Sequence, residues 1–132
     1  MNKKTVVTCI YLFISQMTSA NSVDEMFNSY QKAGVSTIKS NAGKNLWDKS
    51  FTANTSNDTR SCTNCHGSDI TKAGEHARTG KRIEPMAASV NPKRFTDVKK
   101  IKEWFFRNCK WTLGRECSAQ EQADILSYLN SQ

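Results

Sequence analysis

Apolar side chains recur at helical spacing in four stretches of the chain, and nowhere do they alternate long enough to predict a strand. In the first stretch Val23, Met26, Phe27 and Tyr30 share one helix face. Ser22-Val23-Asp24-Glu25 reads as its capping box with Ser22 as N-cap, and Gly34 is its natural stop. A second helix is expected from about Ser40 to Lys49, carrying Leu46 and Trp47. A third holds Val98, Ile101, Trp104 and Phe105, with Thr96 as cap and Asp97 in the first turn. Ser118-Ala119-Gln120-Glu121 is another capping box, opening a C-terminal helix with Ala123, Ile125, Leu126, Tyr128 and Leu129. The expected class is all-α, with about four helices.

The remainder does not fit this pattern. Residues 52–61 form a polar loop, and residues 67–92 carry few aliphatics, no clear period, and the breakers Gly74, Gly80, Pro85 and Pro92. Such a stretch has too little apolar surface to fold by itself. It makes sense wrapped around a bound group.

The N-terminus reads as an export signal. Lys3 and Lys4 precede a mostly apolar run from Thr5 to Ile14, and Thr18-Ser19-Ala20 suits cleavage after Ala20. The run is too short to span a bilayer. Cys9 lies well before that point, which argues against a lipid-anchored cysteine. The expected organisation is a signal over residues 1–20 and one domain over 21–132, delivered to the periplasm without stable membrane insertion. The net charge of +7 loses Lys3 and Lys4 with the signal and stays basic.

Removing the signal leaves Cys62, Cys65, Cys109 and Cys117, an even number suited to an oxidising compartment. Cys62-Thr63-Asn64-Cys65-His66 is a C-x-x-C-H sequence, the attachment pattern of c-type haem. Thiols three positions apart each form a thioether with one haem vinyl group, and the next residue, His66, offers an imidazole nitrogen to iron. A zinc site needs further ligands, and Cys109 and Cys117 lack the paired spacing. A thioredoxin-like redox pair needs a βαβ context, which the pattern lacks. One covalent haem c is expected, held by Cys62, Cys65 and His66.

The residue opposite His66 decides the chemistry. Met86, His76, Asn108, Lys110 and an open position are the candidates. A methionine gives a closed electron carrier of raised potential, whereas a weak ligand or a vacancy admits small gases. Met86 follows Pro85, as in ordinary cytochromes c, but stands far from the C-terminal helix and reads as packing. His76 sits in a polar run and reads as exposed. Asn108 falls within about 60° of Ile101 and Phe105 at about 100° per residue, in the middle of the apolar face of the third helix. A buried amide needs partners, which local backbone or a metal can supply. A bridge between Cys109 and Cys117 would tie the third helix to the fourth beside Asn108, contributing roughly 2.5 kcal/mol on loop-entropy grounds.

Further motifs carry a resemblance. Ile83-Glu84-Pro85-Met86-Ala87, Asn91-Pro92-Lys93-Arg94-Phe95-Thr96-Asp97, Trp104-Phe105-Phe106-Arg107-Asn108-Cys109 and Leu113-Gly114-Arg115-Glu116-Cys117, together with Cys62 to His66, resemble the sphaeroides haem protein family. The resemblance covers most of residues 43–130 and implies a small class I cytochrome c-like fold around one haem. It implies that Asn108 is an axial ligand in the ferric form, leaves on reduction, and so gates the site, and that Cys109 and Cys117 are bridged. It further implies a ferrous iron that binds oxygen, nitric oxide or carbon monoxide, and a dihaem or other multihaem cytochrome c as electron donor. Oxygen reduction and conversion of nitric oxide to nitrate are the activities such a site suggests. The rivals are a plain electron carrier ligated by His66 and Met86, and a gas-binding module without turnover.

The charges fit docking to an acidic donor: Lys93, Arg94, Lys99, Lys100, Lys102, Arg107, Lys110 and Arg115 cluster along the third helix and its flanks. An exported haem protein is a poor candidate for binding nucleic acid.

Overall fold

The computed structural model describes residues 21–52 and 58–132. The expected signal segment lies outside the described residues. Five helices are present among them: α1 (Ser22–Lys32), α2 (Ser40–Asp48), the single-turn α3 (Thr63–His66), α4 (Val98–Leu113) and α5 (Ala119–Asn130). Two minimal antiparallel pairs accompany them, β1 (Phe51–Thr52) with β2 (Thr59–Arg60), and β3 (Gly74–Glu75) with β4 (Arg82–Ile83). The molecule is mostly helical. Its strands are too short to leave a period-two signal in the sequence.

Two caps fall one residue from their expected places. Asn21, not Ser22, caps α1, because its Oδ1 accepts from the N–H groups of Val23 and Asp24 at 2.9 and 3.0 Å. Asp97, not Thr96, caps α4 by accepting from Lys100 N, while the Thr96 hydroxyl turns back to the Lys93 carbonyl. A carboxylate or amide oxygen reaches the second or third N–H as well as a hydroxyl does, so adjacent capping residues compete for the same start.

α5 is the axis of the core. It buries Ala123, Asp124, Ile125, Leu126, Tyr128 and Leu129. One apolar cluster joins it to α1 and α4 through Val23, Met26, Tyr30 and Ile101. A second cluster joins it to Trp47, Ile70, Ala87, Cys109 and Cys117. Phe95 and Phe105 touch both. Phe95 takes a φ of 59°, the left-handed region that a bulky side chain enters only when packing holds it there. Buried Asp124 is satisfied by Lys39 N at 2.7 Å and Gln120 Nε2 at 2.9 Å, so its carboxylate ties the start of α2 to α5.

The α4–α5 corner is fixed three ways. Cys109 and Cys117 form a disulfide. Gly114 ends α4 at φ 73°, a left-handed C-cap open to glycine without steric cost. Ser118 and Glu121 exchange the two bonds of the capping box. Glu121 also receives both Nη atoms of Arg115 at 2.7 Å. The Arg115 bond, aided by the Ser118 N–H, holds the Glu121 carboxyl down at about 2. A depressed folded-state value means that the ionised form stabilises the native protein. That contribution is complete above the ordinary value of 4.5 and disappears as pH falls toward 2. Glu121→Gln is therefore expected to lose about 1 kcal/mol at neutral pH. Denaturant melts of both proteins should converge near pH 2 to 3; a gap that persists unchanged into that range would exclude the carboxylate as its source.

Candidate functional site

α3 is short, so side chains outside it must hold its shape. Asn64 Oδ1 accepts from Ser61 N at 2.6 Å and from the Ser61 hydroxyl at 3.1 Å, closing the turn over Cys62. His66 N donates to the Cys62 carbonyl at 3.1 Å, and Gly67 turns out of the helix at φ 72°. Buried Trp47 then clamps the far side. Its Nε1 donates to the Gly67 carbonyl at 3.2 Å, and its ring lies 5.3 Å from the His66 ring and 6.2 Å from Tyr128. In sequence Trp47 is only an apolar helix residue. A buried indole N–H needs an acceptor, and that need is the signal that could have tied it to the motif.

The β3–β4 hairpin covers the other side. Ala77 N points at Cys65 Sγ at 3.4 Å. Gly74 lies so close that a Cβ there would stand 2.0 Å from the Cys65 carbonyl oxygen and 2.8 Å from His66 Cα. The segment after the hairpin is anchored on Ile70, whose carbonyl accepts from both Met86 N and Ala87 N at 3.0 Å.

The electrostatics of the motif are those of a neutral donor set. Burial, with a smaller contribution from the Arg94 charge, lowers the His66 imidazole to about 4. Burial pushes the Cys62 thiol up to about 11. Both cysteines are free, and His66 Nδ1 is buried with no protein partner. An uncharged, orphaned imidazole nitrogen beside two unpaired thiols fits covalent haem c, because haem takes up the thiols and gives the ring a metal to ligate. Among the described residues, no three His, Cys, Asp or Glu side chains converge as a protein-only metal centre requires.

The remaining candidates separate by position. Met86 is half-buried and packs against the Trp47–Tyr128 cluster. His76 holds its Nδ1 in the hairpin loop, accepting from Thr79 N at 3.2 Å. Lys110 lies on the outer face of α4, with Nζ 3.9 Å from the Phe106 ring centroid and 3.6 Å from Glu116. Asn108 is exposed, beside exposed Trp104 and Trp111. It stands at the edge of the buried stripe and not at its middle, because that stripe runs through Ile101, Phe105, Cys109 and Thr112 and leaves Trp104 outside. Counting Trp104 into the apolar face, as hydrophobicity suggests, shifts the expected centre away from the stripe that the protein core buries.

One bridge ties the segment before Cys62 to α4. Arg60, two residues before Cys62, donates to the Trp111 carbonyl at 3.0 Å, and its guanidinium lies 5.0 Å from the Trp111 ring centroid. The entry to the motif is thus fastened to α4 three residues after Asn108, and Cys62 and Cys109 border the same cluster. Of the basic residues expected to form one patch, Arg107, Lys110 and Arg115 pair with Glu103, Glu116 and Glu121.

Comparison with known proteins gives this geometry a context. The oxidised form of SHP, described as an oxygen-binding cytochrome c, matches with a TM-score of 0.76 and 37% identity over 85% of this chain and 98% of that one. The chain belongs to the sphaeroides haem protein family. Residues 33–129 also match a family described as a domain of unknown function, DUF1924. The cytochrome c-type protein SHP of Cereibacter sphaeroides is 51% identical over 75 residues, which is 57% of each chain. Cytochrome c'' of Methylophilus methylotrophus is 41% identical over 68 residues, 52% of this chain and 47% of that protein. The alignments thus span about half the length of these curated relatives. The crystal structure of oxidised cytochrome c'' has a TM-score of 0.75 at 28% identity, covering 84% of this chain and 94% of that one. As a sphaeroides haem protein, the chain is a class I-like c-type cytochrome with covalently bound haem c. Among the described residues no helix is long and apolar enough to cross a membrane.

Proposed function

We propose that this protein is an exported monohaem cytochrome that accepts single electrons and binds diatomic gases at an iron gated by Asn108. Cys62 and Cys65 would tether the haem, and His66 would ligate its iron. Haem c, when bound, supplies a one-electron couple and, once reduced, an iron open to oxygen, nitric oxide or carbon monoxide. His66 enters as a neutral imidazole, because burial keeps the proton off. Asn108 offers an amide oxygen, a weak hard donor suited to ferric iron and poorly held by ferrous iron. Where reduced iron did not hold it, its amide N–H would be available as a hydrogen-bond donor to a gas. The Cys109–Cys117 bridge fixes the backbone beside it. A multihaem cytochrome c with an acidic face is the donor this basic chain suits, in the periplasm after cleavage at Ala20. Reduction of oxygen, or oxidation of nitric oxide to nitrate, is the turnover the site allows.

The observation that carries this reading is the match to an oxygen-binding cytochrome over nearly its whole length. The Arg60–Trp111 tie, which draws the Asn108 helix to the haem motif, supports it. The packing of half-buried Met86 against the Trp47–Tyr128 cluster supports gas binding over a closed His66–Met86 carrier.

Optical spectra test it. Wild-type ferrous protein should be high-spin and bind carbon monoxide. Asn108→Ala should change the ferric spectrum to a water-bound or five-coordinate form and raise the oxygen dissociation rate about tenfold, the equivalent of one lost hydrogen bond. Met86→Ala should leave the ferric spectrum unchanged. A ferrous form that stays low-spin and ignores carbon monoxide would remove the gas chemistry.

A further inference from the structure

Arg94 and Arg60 are both half-buried cations bonded to main-chain oxygen, but Arg60 is also stacked on the Trp111 ring. Lys44, Lys72, Arg82, Arg107, Lys110 and Arg115 each stand beside a carboxylate. Arg94 is half-buried and makes every bond to main-chain oxygen. Its Nε donates to the Pro85 carbonyl at 3.2 Å, and Nη2 donates to the Glu84 carbonyl. Asn91 Nδ2 shares the Pro85 oxygen at 3.1 Å, which fixes the loop that carries the guanidinium. The Glu84 side chain itself is turned to Arg82 at 3.0 Å.

A guanidinium has five N–H donors, and these two bonds leave most of them unused. Neutral carbonyls do not offset the cost of taking a full charge partly out of water; an anion does. The location says which anion. The Glu84–Pro85 carbonyls belong to the segment anchored on Ile70, four residues beyond His66. The charged substituents of haem are its two propionate carboxylates, and guanidinium is the geometric complement of a carboxylate.

We propose that Arg94 is the haem-propionate residue of this protein, held by the Glu84 and Pro85 carbonyls so that its free N–H groups meet a propionate. Arg94 thereby acts as a positioning residue and as a fixed positive charge near the iron. The proposal rests on haem attachment at Cys62–His66 and is independent of Asn108 gating.

The sign of its effect on the redox couple follows. A cation close to the iron disfavours the extra positive charge of the ferric state. Removing it leaves a propionate anion uncompensated, and both changes favour oxidation.

The test uses holoprotein whose covalent haem is verified by its pyridine haemochrome. Redox titrations compare wild type, Arg94→Gln, Arg94→Lys and the exposed neighbour variant Lys93→Gln. Arg94→Gln should lower the ferrous-to-ferric ratio at fixed poise about tenfold, 59 mV for a one-electron couple. Arg94→Lys should stay within threefold of wild type, and Lys93→Gln within twofold. Resonance Raman adds a measurement that a purely structural role would not move. The propionate bending mode should shift in Arg94→Lys, whose ammonium cannot reproduce the fork. If Arg94→Gln does not accumulate with haem, this Raman comparison of Arg94→Lys with wild type decides. An unshifted mode, or an Arg94→Gln ratio within twofold of wild type, would reduce Arg94 to a loop clamp. Lack of covalent haem in the wild type would instead sink the attachment reading.

Discussion

Replacing Gly43 by alanine is expected to destabilise the protein by about 3 kcal/mol, with a fall in Tm of roughly 10–20 °C. The helix propensity of alanine argues the other way, because glycine inside a helix costs about 1 kcal/mol relative to alanine. Space decides between them. A Cβ on Gly43 would lie 2.0 Å from the Asp124 carbonyl oxygen, 2.4 Å from its carbon and 2.9 Å from Ile125 N. All three are backbone atoms of α5, so no rotamer change relieves the contact. The α2–α5 pairing is the most extensive between any two elements described, and it would have to open. α2 carries Trp47, the clamp on His66 and Gly67, so the disturbance should reach the site as well. Thermal melts read by far-UV circular dichroism provide the measurement. A variant as stable as wild type, or more so, would show that α2 and α5 do not pack as described.

The contrast between Gly43 and the helix caps shows what the sequence could and could not convey. The four main helices were legible because each carries an apolar stripe and a start or stop signal that acts within a few residues. Ser118 with Glu121 was legible for the same reason and lies where expected. Asn21 and Asp97 shifted two helix starts by one residue because neighbouring cap residues compete locally. Gly43, by contrast, looks in sequence like a weak point in a helix. Its role depends on the backbone of a helix some eighty residues away. Arg60 and Trp111 are similarly remote in sequence and carry no motif, yet they fasten the haem segment to α4. The C-x-x-C-H sequence was readable as a candidate attachment site because thioether spacing and the adjacent imidazole are dictated by covalent chemistry within five residues. The stripe of α4 that the protein core buries was less readable, since the helical wheel counts Trp104 into it and protein packing leaves Trp104 54% exposed. Local rules therefore reached the helices and the C-x-x-C-H sequence. Long-range contacts decided how the residues of that sequence are held.

Gly74→Ala should be the most damaging small substitution in the site, lowering the fraction of protein with covalent haem at least fivefold. The clash is again with main chain, 2.0 Å from the Cys65 carbonyl oxygen and 2.8 Å from His66 Cα. Here it falls on the peptide that joins the second thiol to the imidazole. Two responses are open to the chain. The hairpin can lift, which breaks the β3–β4 register and withdraws Ala77 from Cys65. The other response moves the Cys65–His66 peptide, which strains α3 against Trp47 and the Asn64 turn. Either response misaligns residues whose chemistry depends on their spacing, so the loss should exceed what the methyl group costs in stability alone. Gly67→Ala is the control. Gly67 has a φ of 72°, and a methyl group there would find nothing within 4 Å, so alanine meets backbone strain of about 1 kcal/mol without a collision. Haem content per polypeptide, read from the pyridine haemochrome, should therefore fall steeply for Gly74→Ala and stay near wild type for Gly67→Ala. Equal haem content in both variants would mean that the β3–β4 hairpin does not lie against the attachment sequence, and that its closeness to Cys65 plays no part in holding the donors.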